Sequence, residues 1–276
     1  MLIILDNFYF SLPFILRALI PFVFLLLVAI VSYKSKQLTL GGCFTAFFVG
    51  YILLFVGGFA SLSIMLFFFI TAGLIGKVTK KDKTIDKITK KGSNRDSIQV
   101  LANGGLSALT LIAYYFTNDP LYIACFASCI AESCADTWSS EIGVLSNKAP
   151  VSILNFKPIA KGLSGGVSLL GTAAALLASI LVGVLYLSSY TSSTLPLFFI
   201  VISSGFFSSV VDSLLGATVQ VHYYDDKLKL VRECEIDEEG NKLPKIRGIR
   251  FFDNDMVNLS SNLISMLFTL SLATLI

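Results

Sequence analysis

Long apolar stretches, separated by short polar connections, run through the whole 276-residue chain. Eight of them approach the ~20 residues that a helix needs to cross a bilayer. Backbone amides must be hydrogen-bonded inside hydrocarbon, and the alternating pattern of a membrane barrel is missing, so helices are predicted. The predicted spans are residues 12–32, 39–57, 60–76, 99–116, 121–136, 166–187, 195–212 and 257–276. The pattern predicts an all-α fold, a polytopic transmembrane helical bundle forming one domain over residues 1–276.

Composition agrees with this pattern. Hydrophobic residues make up 55% of the chain and charged residues only 14%, against about 25% charged in an ordinary soluble domain. A secreted enzyme, a nucleic-acid-binding module and a fibrous protein are excluded. The polar connections at about 77–97, 142–165 and 222–250 are predicted to be cytoplasmic loops, and alternation within residues 227–232 predicts a small hairpin in the last one.

Lys and Arg fall almost entirely on one side of this topology. With the N-terminus outside, every Lys and Arg except Arg17 lies inside, and the outer connections contain none. The positive-inside rule therefore predicts that both termini lie outside, in a prokaryotic cell membrane. The Lys-rich loop 77–97 is expected near anionic headgroups, with substrate steering as the alternative. A cleaved signal peptide is not expected, because the first span is long and no basic flank precedes it.

Several acids lie within or just past the predicted spans, without a basic partner in the same span. Glu132 and Asp136 share one helix face, Glu141 follows at its inner end, and Asp212 closes the seventh span at the same level. Such charges are costly in a bilayer and functional by default. Binding of Mg²⁺ and phosphate is favoured, with proton or ion transport and solvation of helix ends as alternatives.

Two pairs of predicted helices resemble each other. The matching segments are 104–107 with 165–168 and 126–133 with 206–213. A parallel repeat of helix pairs, 99–136 and 166–212, would bring Glu132 and Asp212 to equivalent inner positions. Chance similarity between apolar helices rich in small residues is the alternative.

A glycine-rich loop leads into the sixth span, where a helix N-terminus would present backbone amides to an anion. Its residues are Lys161, Gly162, Ser164, Gly165 and Gly166. The glycines let oxyanions approach the backbone, and Lys161 would add a mobile positive charge. Close helix packing explains the glycines equally well.

A second polar segment, residues 251–258, precedes the last span. Capping by Asp253, Asn254 or Asp255 explains part of it. Its two acids and two amides exceed what a cap requires, so Asp255 and Asn258 are predicted to supply metal ligands or phosphate donors.

The cysteines are expected to be reduced and structural. They are Cys43, Cys125, Cys129, Cys134 and Cys234. A zinc site of Cys125, Cys129 and His222 is the alternative to small thiols that pack between helices.

In these motifs the chain resembles the family of integral membrane proteins that includes plant phytyl-phosphate kinase of the vitamin E pathway, with many prokaryotic and animal relatives. The resemblance covers roughly residues 40–270. The segments that carry it are 99–105, 136–143, 162–168, 212–217 and 253–258.

The resemblance implies phosphoryl transfer from a nucleoside triphosphate, CTP being one candidate, to an isoprenyl (phytyl-like) monophosphate at the cytoplasmic membrane face, with Mg²⁺ as cofactor. No nucleic acid partner is expected, and a secondary transporter or channel for ions or lipids remains the alternative. The predicted catalytic residues are Asp136, Glu141 and Lys161; the predicted substrate or nucleotide ligands are Asn103, Gly162, Ser164, Gly165, Gly166 and Asn258; the predicted metal ligands are Glu132, Asp136, Asp212 and Asp255.

Overall fold

A computed structural model describes residues 1–79, 88, 94–237 and 239–276. Over these residues the chain forms eight helices: α1 (Leu2–Ser11), α2 (Phe14–Lys34), α3 (Leu40–Thr79), α4 (Ser97–Thr117), α5 (Leu121–Gly143), α6 (Leu169–Ser189), α7 (Leu195–Thr218) and α8 (Asn254–Ala273). Five short strands join them: β1 (Val151–Ser152), β2 (Gly166–Val167), β3 (His222–Asp225), β4 (Leu230–Arg232) and β5 (Lys245–Arg247). Among the described helices, six are long and apolar enough to cross a membrane: α2, α3, α4, α6, α7 and α8. The predicted helical membrane bundle is confirmed.

Helix α3 contains two of the predicted spans. Its 40 residues are interrupted at Gly58, whose φ of +73° lies in the left-handed region that glycine adopts easily. Val49 in the first arm (40–57) and Met65 in the second arm (59–79) both lie next to Gly104, where a Cβ would be 3.4 Å from Val49 Cγ1 and 3.2 Å from Met65 Cε. The two arms therefore run antiparallel. The chain therefore reverses at a single residue, and α3 has the length of two crossings.

Helix α5 lies at the centre of the bundle and contacts α3, α4, α6, α7 and α8. Its residues from Ile123 to Ala135 are all buried. Three acids, Glu132, Asp136 and Glu141, make it less apolar than its neighbours. Burial among other helices lets such a segment lie in a membrane protein without exposing charge to lipid.

The helix connections divide the bundle into two ends. In the described part of the chain, the open end carries residues 35–39, 94–96, 144–168, 219–237 and 239–253 between the helices. The closed end carries α1, Gly58, the connections 118–120 and 190–194, and the C-terminus. Both chain termini therefore lie at the closed end. The predicted Lys-rich loop 77–97 falls largely on residues 80–87 and 89–93, outside the described part of the chain.

The predicted hairpin in the α7–α8 connection is confirmed, and it forms part of a three-stranded antiparallel sheet with strand order β4-β3-β5. Residues 226–229 form the turn, so β4 begins only at Leu230. A buried ion pair between Asp225 Oδ2 and Arg232 Nη1 (2.8 Å) ties β3 to β4. In the α5–α6 connection, β1 pairs with β2. These small sheets are an addition to the all-α prediction.

The helix pairs α4–α5 and α6–α7 run in the same sense, out from the open end and back. The glycine motifs that suggested a repeat do not correspond, however. Gly104 and Gly105 lie inside α4, beyond the capping box formed by Asp96 and Gln99. Gly165 and Gly166 precede α6, whose N-cap is Ser168. The direction of the pairs agrees with a parallel repeat, and so does the proximity of Glu132 and Asp212, which both lie within hydrogen-bonding distance of Ser261 Oγ.

Candidate functional site

A polar cavity of about 530 Å³ lies at the open end of the bundle. Its wall is formed by α3, α4, α5, α7, the start of α8 and the loop before β2. It brings together most of the residues predicted from the sequence: Asn103, Asp136, Glu141, Lys161, Gly162, Ser164, Gly165, Gly166, Asp212 and Asn258. Of the predicted residues, Glu132 and Asp255 are not among the described residues that line it.

Glu132 is buried beneath the cavity, with only 1% of its surface exposed. Its carboxylate accepts hydrogen bonds from Ser261 Oγ (2.6 Å), Asn262 Nδ2 (2.6 Å) and Ser133 Oγ (3.3 Å). The Ser261 hydroxyl also lies 3.0 Å from Asp212 Oδ2, so one hydroxyl links the two acids. Hydrogen bonds of this kind stabilise a buried carboxylate and leave few positions for another ligand. Glu132 therefore joins α5 to α8.

Two partners of Glu132, Ser261 and Asn262, belong to a polar stripe on α8, of which the sequence analysis singled out only Asn258. Its members are Asn258, Ser261, Asn262, Ser265 and Thr269, all buried. Their spacing places them on one helix face, which points at α5. Ser265 donates to the Ser128 carbonyl (3.0 Å) and Thr269 to the Ser128 hydroxyl (2.7 Å). The helical period of small polar residues in the last predicted span is the signal that could have found them.

The predicted set of four metal ligands is not gathered in one place. Among the described residues, no group of three or more His, Cys, Asp or Glu side chains is arranged to hold a metal ion. The reason is that Glu132 is engaged by α8, while Asp255 lies outside the cavity wall. The same finding covers the alternative zinc site, because Cys129 contacts the Asn262 carbonyl within the bundle and His222 lies in β3.

Asp136 and Asp212 both line the cavity and fit a more modest role. Mg²⁺ is usually held by one or two carboxylates together with substrate phosphates and waters. Asn258 lies beside Asp212: with its amide nitrogen turned that way, it donates to Asp212 Oδ2 (3.3 Å) and to the Asn254 carbonyl (3.1 Å). This pair of acids suits a cation that arrives with a phosphate ligand.

Arg95, which sequence reasoning did not single out, lies on the cavity wall near Glu141. Its backbone is fixed by hydrogen bonds to the α2–α3 connection, from its own amide to the Gln37 carbonyl (2.9 Å) and from the Thr39 amide to its carbonyl (3.0 Å). Burial lowers the pKa of Arg95 and the nearby charge of Glu141 raises it. The Glu141 carboxylate accepts a hydrogen bond from Thr79 Oγ1 (2.5 Å). A guanidinium is therefore held at the cavity wall.

The glycine-rich loop is held against α7 and the hairpin. Gly165 has a φ of +84°, and a Cβ there would lie 2.6 Å from Ala217 Cβ, so both conformation and space require glycine. The Ser164 amide donates to Glu233 Oε1 (2.9 Å), which shows that the loop can hold an oxyanion.

Lys161 is not the mobile positive charge that the sequence predicts, because its ammonium group is held by hydrogen bonds. Its ammonium donates to the carbonyls of Val144 (3.2 Å) and Ser146 (2.6 Å), just past the C-terminus of α5. Cations are favoured at this end of a helix by the helix dipole. Lys161 lines the cavity while fixing the α5–α6 connection.

Comparison with known proteins identifies the family. The sequence profile described as integral membrane protein DUF92 matches residues 23–266. The chain belongs to this family of integral membrane proteins. The matched range includes every cavity-lining residue named above.

Relatives cover most of the chain. It is 35% identical over 268 residues to Protein PGR of Arabidopsis thaliana, which covers 88% of this chain and 91% of that protein. A membrane protein of Methanocaldococcus jannaschii is 31% identical over 206 residues (74% of this chain, 83% of the relative). One from Synechocystis is 28% identical over 211 residues (74% and 80%). No solved structure matches the chain.

Proposed function

We propose that this DUF92 protein transfers a phosphoryl group from a nucleoside triphosphate to an isoprenyl monophosphate, giving the diphosphate. The observation that carries the proposal is the polar cavity, whose wall includes the carboxylates of Asp136 and Asp212 among its four described acids, together with Arg95, at one end of a membrane bundle. Its volume of about 530 Å³ lies in the range of ~300–1,000 Å³ for small-molecule sites.

The chemistry needs positioning more than proton transfer. An oxygen of the acceptor phosphate bonds to the γ-phosphorus of the nucleotide, the bond from that phosphorus to the bridging oxygen breaks, and a nucleoside diphosphate leaves. The acceptor phosphate is already ionised at neutral pH, because its second pKa is about 6, so no general base is required. Mg²⁺ held by Asp136 and Asp212 would supply neutralisation of phosphate charge.

The chain's own residues would bind and orient the two phosphate groups. Arg95 offers a planar set of donors that matches phosphate oxygens. Asn103 and Asn258 supply side-chain amide groups on the same wall, and the glycine-rich loop lies on it as well. Glu141 lies close enough to Arg95 to influence its charge, which suits a residue that positions the guanidinium.

Resemblance to the family that includes phytyl-phosphate kinase supports an isoprenyl acceptor. A membrane bundle is also the natural host for such a substrate, because a prenyl tail prefers hydrocarbon while its headgroup must meet a water-soluble nucleotide.

The deciding experiment is an assay of purified protein with isoprenyl monophosphates of 5, 10 and 20 carbons, each with ATP, CTP, GTP or UTP and Mg²⁺. We expect one nucleotide to yield nucleoside diphosphate and prenyl diphosphate in equal amounts. If no combination gives either product, the proposal is wrong.

We further propose that the open end faces the cytoplasm and that both termini lie outside. The distribution of Lys and Arg supports this orientation, because Arg17 is the only one of the described Lys and Arg residues that lies at the closed end. A topology reporter fused after Ile276 should give the signal of the outer compartment. A cytoplasmic signal there would reverse the orientation.

A transporter or channel for ions or lipids is the second candidate. The polar stripe on α8 favours it, because the stripe runs from Asn258 at the cavity toward Thr269 nearer the closed end. Flux across liposomes containing the protein, without release of nucleoside diphosphate, would support this function in place of phosphoryl transfer.

A further inference from the structure

A second, smaller cavity lies between α2, the two arms of α3 and α4. Its volume is about 90 Å³, against ~10–15 Å³ for the smallest space that holds one water. We call it the apolar groove, because its wall is almost entirely hydrocarbon, with Leu25, Ala29, Phe47, Leu62, Leu66 and Val100 among its residues.

Two glycines keep the apolar groove open. Gly50 and Gly104 both line it. A Cβ at Gly50 would lie 2.9 Å from Leu25 Cδ2, and one at Gly104 would lie 3.2 Å from Met65 Cε. Larger side chains at these positions would occupy the space that the groove offers.

The apolar groove adjoins the polar cavity. Phe69, Arg95, Gln99 and Asn103 line both. A molecule that extends from one to the other would pass from a hydrocarbon wall to a wall of amides and charges. This is the arrangement that an amphiphile with one long tail and a polar headgroup requires.

The charge at the junction specifies the headgroup. The Arg95 guanidinium lies over the Phe68 ring, 5.3 Å from its centroid, and Arg95 lines both spaces. A guanidinium partly removed from water binds phosphate through paired hydrogen bonds and charge. A phosphate ester is therefore a better match than an alcohol or an amine.

Helix α2 separates the apolar groove from the lipid. Within α2, all of which is described, only Pro21, Leu25 and Ser32 are buried. Its other side carries exposed apolar residues such as Phe22 and Leu27. A tail longer than the groove can therefore pass beside α2 into the bilayer without crossing a polar surface.

We infer that the apolar groove binds the first part of the hydrocarbon tail of an isoprenyl monophosphate, with the phosphate against Arg95 at the mouth of the polar cavity. The identity of this ligand as the acceptor substrate rests on the proposed function. The inference assigns a binding role to Arg95 and Gln99, and it places the nucleotide on the other side of the polar cavity, near Asp212 and the glycine-rich loop.

The first test is photo-crosslinking of purified protein with an isoprenyl monophosphate that carries a diazirine in its first isoprene unit. We expect adducts on groove residues such as Ala29, Leu62 and Leu66, located by mass spectrometry. Unlabelled isoprenyl monophosphate should compete at least tenfold better than either the parent alcohol or phosphatidic acid. Equal competition by phosphatidic acid would mean that the groove holds a bulk lipid, and the inference would be wrong.

Two charge variants sharpen this test. Arg95→Gln should lower groove adducts about tenfold, whereas Lys148→Gln, an exposed residue at the same end, should leave them unchanged. Adducts spread over the lipid-facing side of α2, with the same yield in Arg95→Gln, would contradict the inference.

The second test fills the apolar groove. Ala29→Phe places a ring in it, and Val31→Phe places the same ring on the exposed face of the same helix. We expect Ala29→Phe to raise the KM for both 5-carbon and 20-carbon acceptors about tenfold, because both place their first isoprene unit in the groove, with a change below twofold in the KM for the nucleotide. Val31→Phe should change neither, and thermal unfolding should show that both variants are folded.

These outcomes separate the inference from the proposed function. Arg95-dependent crosslinking in a protein that transfers no phosphoryl group would support binding in the apolar groove and refute the kinase activity. Active protein in which Ala29→Phe leaves the KM for both acceptors unchanged would support the kinase activity and refute acceptor binding in the apolar groove.

Discussion

The two ends of the bundle both carry polar side chains but use them differently. At the closed end, Asp6 accepts hydrogen bonds from the amides of Phe59 (2.6 Å) and Ala60 (3.1 Å), and Ser61 and Tyr190 share one between hydroxyls (2.5 Å). At the open end, Asp136 and Asp212 face a cavity of about 530 Å³. Polar groups in a membrane bundle therefore mark a candidate site only where they converge on open space; elsewhere they satisfy the backbone and one another.

The same contrast occurs within one helix. Glu132 and Asp136 lie one turn apart on α5, but Glu132 is enclosed by α8 while Asp136 lines the cavity. Four predictions test this difference, and they are given from the strongest expected effect to the weakest.

Asp136→Asn should lower phosphoryl transfer by about three powers of ten, because a ligand of Mg²⁺ acts mainly on the charge of the transition state. The matched control is Asp119→Asn at the closed end, where Asp119 accepts from the Leu121 amide (2.9 Å) and Asn can do the same. Turnover of nucleotide with an isoprenyl monophosphate measures both. Equal activity in the two variants would contradict a functional role for the open end that the closed end lacks.

Glu132→Gln should reduce stability more than activity. The neutral amide of Gln can turn its oxygen to Asn262 Nδ2 and its nitrogen to Ser261 Oγ, which must then accept where it donated. Because hydrogen bonds to a carboxylate are stronger than those to an amide, we expect a cost of about 2 kcal/mol in the free energy of unfolding. Transfer by the folded protein should stay within tenfold of the wild type. Denaturant titration in detergent measures the first quantity, and Ser271→Ala, an exposed hydroxyl on α8, is the control. A loss of activity as large as that of Asp136→Asn would make Glu132 part of the reaction.

Asp6→Ala should lower the free energy of unfolding by about 1–2 kcal/mol, the usual effect of removing a helix cap, without changing transfer. Asp6→Asn, which keeps one acceptor oxygen, should lose less. Thermal unfolding of the two variants decides this. Full stability in Asp6→Ala would show that the closed end does not depend on this cap.

The hairpin should lose stability in mild acid. Burial lowers the pKa of His222 to about 4; the hydrogen bond with the Gln220 carbonyl raises this pKa and the charge of Arg247 lowers it. The unfolded strand has a pKa of about 6.5, so below that pH it binds a proton that the folded strand does not. The contribution of neutral His222 to the stability of the hairpin is therefore fully present above about pH 6.5 and is lost as the pH falls toward 4.

Hydrogen exchange of β3, corrected for intrinsic rates, should show this loss in the wild type. His222→Gln should reduce the pH dependence of exchange. An unchanged pH profile in His222→Gln would assign the effect to other groups.

The spans could be predicted because each crossing has its own apolar length and its polar boundaries. The break at Gly58 could also be predicted, although hydropathy hardly falls there, because Gly57 and Gly58 are adjacent in the sequence. Helix α1 is not predicted, because its 10 residues precede the first predicted span (12–32) and are too few to cross a bilayer. Local pattern is sufficient wherever the bilayer itself imposes the length.

The candidate site could be predicted only in outline. The acids, the glycine-rich loop and Asn258 carry local signals, and the structure places them around one cavity. The different environments of Glu132 and Asp136 depend on Ser261 and Asn262, about 130 positions away in the sequence. Likewise, the position of Arg95 depends on the α2–α3 connection. Such differences come from tertiary packing and leave no local pattern.

The reversal at Gly58 has a consequence for how the protein enters a membrane during synthesis. Since no loop separates the arms of α3, the first arm has no charged segment of its own to anchor it at the closed end. Lys34 and Lys36 precede the two arms of α3, and Lys77 lies near the end of the second arm, so all three lysines lie at the open end. Inverted insertion would move every one of them across the bilayer, at ~2.5–3.5 kcal/mol for each charge at the membrane centre. The two arms should therefore insert together, as one unit with a single permitted orientation.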